Sequence, residues 1–125
     1  MDIYQEQILD HYKNRRNFGH LIKPSASLEL FNSLCGDAIG MDVKITKLET
    51  GNWKLEKIKF WGDGCAISQA TASMLTEKIK GKTLLEIEKL KYEDLQKMLG
   101  IELSPARMKC ALLPLEVLQK VLDNL

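Results

Sequence analysis

The stretch Ile39-Gly40-Met41-Asp42-Val43-Lys44-Ile45-Thr46 decides the fold. Ile39, Met41, Val43 and Ile45 are apolar, and Asp42, Lys44 and Thr46 between them are polar. That period of two predicts a strand with one face buried. Thr50-Gly51-Asn52 follows as a turn, and Trp53, Leu55, Ile58 and Phe60 then form a second strand. The phase slips at Glu56-Lys57, which predicts a bulge. Two strands joined by a short Gly-containing turn make an antiparallel hairpin. Upstream, residues 27–32 are a third strand candidate.

Downstream the period changes. Ile67, Ala70, Thr71, Met74, Leu75 and Ile79 recur at helical spacing, and Gly81 ends the run. Residues 84–90 and 92–99 predict two shorter helices, the second stopped by Gly100. Ser104-Pro105 is an N-cap and N1 pair that opens the last helical segment, in which Leu115, Leu118, Leu122 and Leu125 share a face. At the other end, Tyr4, Ile8, His11 and Tyr12 line one face of a helix over residues 3–16. Asp2 caps it, and Asn17-Phe18-Gly19 ends it. The fold class is therefore α+β, a small antiparallel sheet covered by helices.

Pro114 lies inside the last helical pattern. Its ring opposes the carbonyl of Cys110, four residues back, so the expectation is a kink or a helix start there. Either would leave Cys110 at an irregular place in the backbone.

A chain of 125 residues and 14.2 kDa suits a single domain, 1–125, with one core. Eighteen Lys and Arg against 17 Asp and Glu give a net charge of +1, which argues against a nucleic-acid partner. The N-terminus has no basic stretch followed by an apolar run, and no apolar run approaches the ~20 residues of a membrane span. The expectation is a cytoplasmic protein with no membrane partner. Its three cysteines, Cys35, Cys65 and Cys110, cannot all pair with one another, which leaves reduced thiols, metal or redox chemistry.

The neighbours of the cysteines carry the chemistry. Cys35 precedes Gly36-Asp37, and Cys65 follows Gly62-Asp63-Gly64 at the start of the helix beginning near Ile67. A helix N-terminus favours negative charge on sulfur. Glycines allow close approach of a bulky ligand. Three thiolates with Asp37 as fourth ligand or oxygen-donor neighbour suit a tetrahedral metal site that takes zinc or iron. The separations are long, however, and without a C-x-x-C pair they equally suit three buried small hydrophobes. His11, on an apolar helix face, reads as a structural histidine. Asp63 reads as a turn residue, and Trp53 and Trp61 as core or half-buried strand residues.

At these residues the sequence resembles the iron–sulfur cluster assembly scaffold family of IscU, SufU and the N-terminal domain of NifU. Residues 4–17, with Asp10-His11-Tyr12-Lys13-Asn14 and Arg16-Asn17, are similar to the family's N-terminal motif. Cys35-Gly36-Asp37, the Gly62 to Leu75 stretch and Pro105-Ala106-Arg107-Met108-Lys109-Cys110 match three more. The resemblance implies a three-stranded antiparallel sheet with packed helices. It implies that Cys35, Asp37, Cys65 and Cys110 converge on one metal or cluster site.

It further implies a cysteine desulfurase as sulfur donor, with Cys110 as candidate sulfur acceptor. A transient [2Fe–2S] cluster would pass to apo iron–sulfur proteins, with Zn²⁺ or Fe²⁺ at the same ligands, on a monomer or weak dimer. The alternative it implies is a zinc-dependent, SufU-type sulfur acceptor. Lys109 stands where IscU-type proteins carry histidine, and lysine is the SufU-type residue. It has two readings, a charge that tunes the Cys110 thiolate and a solvated side chain. The segment between the second and third cysteines is too short for the SufU-type insertion. Leu103-Ser104-Pro105-Ala106-Arg107 replaces the IscU chaperone-docking motif, and Arg15 replaces a proline.

Overall fold

The computed structural model describes residues 2–32 and 36–125. Helix α1 (Ile3–Lys13) leads to three strands, β1 (Ala26–Asn32), β2 (Asp37–Lys47) and β3 (Trp53–Asp63). Four helices follow, α2 (Ala66–Ile79), α3 (Leu84–Glu88), α4 (Tyr92–Leu99) and α5 (Pro105–Asp123). The strands form one antiparallel sheet in the order β1-β2-β3. This is the expected α+β arrangement. The bulge also falls where the phase slip puts it. Lys44 faces Lys57 and Ile45 faces Leu55, so Glu56 is the extra residue on β3.

One face of the sheet makes the core. Ile39, Met41 and Val43 from β2 and Leu55, Ile58 and Phe60 from β3 are buried with Leu75, Ile79, Val117, Leu118 and Val121 from α2 and α5. A smaller cluster of Ile8, Ala70, Met74, Leu99 and Ala111 joins α1 to α2, α4 and α5. Gly100, left-handed at φ 71°, ends α4 as expected, and the Tyr4 ring lies so close that a Cβ there would overlap it. None of the helices among the described residues is long and apolar enough to cross a membrane.

Three sequence expectations are corrected. The first helix stops at Lys13, with Asn14 as its C-cap, three residues short of the expected end. Residues 17–19 instead pair with the edge of β3: the Phe60 N–H donates to the Asn17 carbonyl and the Gly19 N–H to the Phe60 carbonyl. The edge strand's unpaired backbone groups outweigh another helical turn there. Trp53 is exposed and not a core residue, whereas Trp61 is half-buried.

The third correction concerns Cys110. Helix α5 runs from Pro105 to Asp123 through Pro114, and Cys110 sits in its second turn. A proline inside a helix costs about 3 kcal/mol. Leu113, Leu115, Val117, Leu118 and Val121 are all buried on α5, and each contributes about 1.5–3 kcal/mol by leaving water. Burial wins, and the helix continues.

Helix α2 is buried nearly all round, from Ser68 to Thr76, and not on one face alone. Its second face is made of small polar residues that α1 and the following loop cover. The Arg16 N–H donates to Ser73 Oγ at 2.9 Å, and His11 Nδ1 lies 2.8 Å from the same oxygen. Asn17 Nδ2 donates to Thr76 Oγ1 at 3.1 Å. Ser73 Oγ thus ties the loop after α1 and the His11 ring to α2, and on the other side of the ring His11 Nε2 lies 3.9 Å from Glu77 Oε1.

His11 is the structural histidine its position suggests. Burial lowers its pKa below the usual 6.5, the Arg16 charge adds to this, and Glu77 and Asp10 oppose it. A histidine held neutral by folding contributes stability that is complete above about pH 6.5 and is lost as pH falls below it. Thermal melts taken between about pH 7.5 and 5 should show this loss, and His11→Gln should flatten it. Parallel curves for the two proteins would remove His11 as the cause.

Candidate metal centre

Asp37 opens β2 and faces Asn32 across β1. On the other side Ala38 faces Asp63, so the next residues along each strand, Asp37 and Gly64, meet. The contact is close. A Cβ on Gly64 would lie 2.2 Å from Asp37 Oδ1, and Gly64 has φ 155°, a conformation glycine adopts without strain. Gly62, at φ 142°, would clash in the same way with the Ala38 carbonyl. The Gly-Asp-Gly run therefore lets the end of β3 turn across the start of β2. Asp63 takes the turn role expected of it, its Oδ1 accepting from the Gly64 N–H at 3.0 Å.

That turn delivers Cys65 to the N-cap of α2. Its side chain makes no capping bond, so the sulfur is not committed to the helix end. Asp37 holds it on two sides: Oδ1 accepts from the Cys65 N–H at 2.8 Å, and Oδ2 lies 3.6 Å from Cys65 Sγ. The Asp37 side chain is fully buried.

The third group arrives from α5. Ser104 caps that helix, its Oγ accepting from the Arg107 N–H at 3.4 Å, and Pro105 is the first helical residue. Cys110 then lies on the buried side with 1% exposure, next to exposed Lys109. One carboxylate oxygen of Asp37 and the sulfurs of Cys65 and Cys110 all lie within 4.8 Å of one another. A tetrahedral zinc with Zn–S near 2.3 Å sets its ligand atoms ~3.8 Å apart. The three donors thus need to close by about 1 Å at most to share an ion, and a mixed sulfur and oxygen set suits zinc and iron.

Residues more than 25 positions apart in sequence are brought together here by three different elements. Cys35, the remaining expected ligand, lies outside the described residues. Sequence reasoning missed the second task of Asp37, holding the Cys65 backbone. The Gly64 flank was its one visible sign.

The NifU-like N-terminal domain family matches residues 3–124. The chain belongs to that family. Its relatives fall on both sides of the IscU and SufU divide. The zinc-dependent sulfurtransferase SufU of Bacillus subtilis is 37% identical, over 94% of this chain and 88% of its own length. That match runs over 135 positions, more than this chain has residues, so the relative carries residues without a counterpart here. The IscU scaffold protein of Aquifex aeolicus is 36% identical, over 97% of this chain and 74% of its own. Among solved structures, a SUF-system scaffold protein from Fervidobacterium islandicum superposes with a TM-score of 0.77 at 29% identity, covering 94% of each chain.

Proposed function

We propose that this family member is an iron–sulfur cluster assembly scaffold. It receives sulfur from a cysteine desulfurase, builds a labile [2Fe–2S] cluster on Cys35, Asp37, Cys65 and Cys110, and donates it to apo-proteins. The observation that carries the reading is the convergence of Asp37, Cys65 and Cys110 within 4.8 Å. A permanent cluster carrier usually uses four thiolates. One hard oxygen donor in place of a sulfur gives a cluster that leaves more readily. The reducing cytoplasm keeps such thiols available.

Sulfur arrives by thiolate exchange. The Cys110 thiolate attacks the outer sulfur of the donor's persulfide, forming the Cys110 persulfide, and the donor cysteine leaves as a thiolate. Lys109, exposed beside Cys110, supplies positive charge as the donor approaches. Cys110 is buried and Cys65 is only half-buried. In the protein alone, a small alkylating reagent should therefore modify Cys65 well before Cys110, followed by mass spectrometry. Adding the desulfurase should speed modification of Cys110 if docking uncovers it. Equal rates throughout would take the acceptor role from Cys110.

Anaerobic incubation with iron, cysteine and a desulfurase should produce visible absorption bands that pass to an apo-ferredoxin. Cys35→Ser that assembles and transfers as well as the unaltered chain would sink the ligand assignment.

A second reading is favoured by Lys109 and by the name of the Bacillus subtilis relative, a zinc-dependent sulfurtransferase. Here the same residues hold zinc until a docked desulfurase captures one ligand, which releases a thiol to accept sulfur. Zinc-loaded protein would then stimulate desulfurase turnover, and no stimulation excludes this reading. In both readings the core carries the fold, so a chelator should strip the metal and leave the helical circular dichroism in place. Unfolding on chelation would mark a purely structural zinc.

A further inference from the structure

The outer face of the sheet, away from the core, carries a second feature. The chain crosses it between residues 18 and 25 on its way from the edge of β3 to β1. The crossing is pinned at its centre by buried Asp42, which accepts from the Leu21 N–H at 2.9 Å and from Ser27 Oγ at 2.5 Å. His20 bonds the same carboxylate at 3.3 Å and stacks on Trp61 with ring centroids 4.3 Å apart. Trp61 lies flat across Gly40 and donates through Nε1 to Glu29 at 2.8 Å. The crossing is thus a built part of the fold.

Beside it lies a groove of about 390 Å³ lined by His20, Leu21, Ile22, Lys23, Lys44 and Lys57. Lys44 and Lys57 face each other across β2 and β3. Like charges directly opposite in a sheet are destabilising. None of the three lysines has a carboxylate partner among the described residues. The nearest bulge residue, Glu56, turns its carboxylate to Thr46 Oγ1 instead. Ile22, at the rim, is 97% exposed, an aliphatic side chain held almost wholly in water. An uncompensated basic groove around one projecting apolar residue is the complement of an acidic surface with an apolar socket.

We propose that this groove docks an acidic segment of a partner protein, with Ile22 as the anchor. Lys44 lies seven residues along β2 from Asp37, about 23 Å of extended chain. A partner seated here does not cover the metal centre, so it acts beside a sulfur donor or a cluster acceptor and does not replace either. The inference rests on the outer face alone and stands whichever role the metal centre has.

The probe is a fluorescein-labelled peptide of alternating glutamate and leucine, followed by anisotropy. The medium holds about 0.15 M salt, where the Debye length is ~8 Å and distant charges are screened. Lys44→Glu with Lys57→Glu should weaken binding about tenfold or more. Ile22→Ser should weaken it severalfold with the salt dependence unchanged. Lys13→Glu with Lys120→Glu alters the net charge equally on other faces and should have little effect. The single Lys44→Glu change, which turns a repulsive pair into an attractive one, should raise Tm while weakening the peptide, a pattern that misfolding does not produce. Equal losses in the two double variants would overturn the proposal, because bulk charge then accounts for binding. Inorganic phosphate that binds the groove while the peptide does not would also overturn it, in favour of a small-anion site.

Discussion

Gly64→Ala is expected to abolish tight metal binding while replacing only a hydrogen with a methyl. The new Cβ would fall 2.2 Å from Asp37 Oδ1 and 2.7 Å from its Cγ, closer than real side chains approach. Asp37 cannot yield without releasing the Cys65 N–H, the bond that sets the start of α2. Alanine at φ 155° adds backbone strain, on the order of 1–3 kcal/mol. Both effects act at once on two of the candidate ligands. Zinc affinity should fall by about a hundredfold, which corresponds to ~3 kcal/mol, and Tm should fall with it. Competition with a chromophoric chelator measures the first and calorimetry the second. Unchanged zinc affinity would show that the close contact of Gly64 with Asp37 does not set the site.

Asp37→Ala is expected to have the second largest effect, and to separate two tasks. Removing the carboxylate leaves the Cys65 N–H without its acceptor, a loss of about 1–3 kcal/mol. In a domain of this size each kcal/mol corresponds to roughly 3–6 °C in Tm. The same change removes the oxygen donor, so zinc affinity should fall and a reconstituted cluster should pass more slowly to an apo-ferredoxin. Asp37→Asn keeps an oxygen that can accept from Cys65 and is expected to regain most of the lost Tm. It offers a neutral amide where the metal meets a carboxylate, so zinc affinity should stay low. If Asp37→Asn restores both, or if Asp37→Ala leaves both unchanged, Asp37 is not a ligand.

The two variants act through different links of the same chain of cause. Gly64 belongs to local backbone geometry, and Asp37 to the packing of strand end against helix start. The chemistry follows from both. Cys65 is placed by a turn that two glycines permit and one buried carboxylate closes. Cys110 is placed by a helix whose burial outweighs its internal proline. Under the proposed function, the buried state of Cys110 makes sulfur delivery depend on a docked donor.

Periodicity alone determined a great deal about this protein. The alternation from Ile39 to Ile45, the slip at Glu56 and the glycine stops at Gly81 and Gly100 are local features, and local rules decide them. The motifs around Cys35, Cys65 and Cys110 carried the family. Tertiary structure decided what local rules cannot weigh. The unpaired edge of β3 drew residues 17–19 out of the first helix. Core contacts carried α5 through Pro114 and buried Cys110 within it. The cover supplied by α1 made α2 a helix buried on both faces, a role its small polar residues gave no periodic sign of. Asp37 and Gly64 meet only because strand register sets them opposite each other. Lys44 and Lys57 face each other for the same reason, and their repulsion is a property of pairing that neither residue carries in the one-dimensional chain.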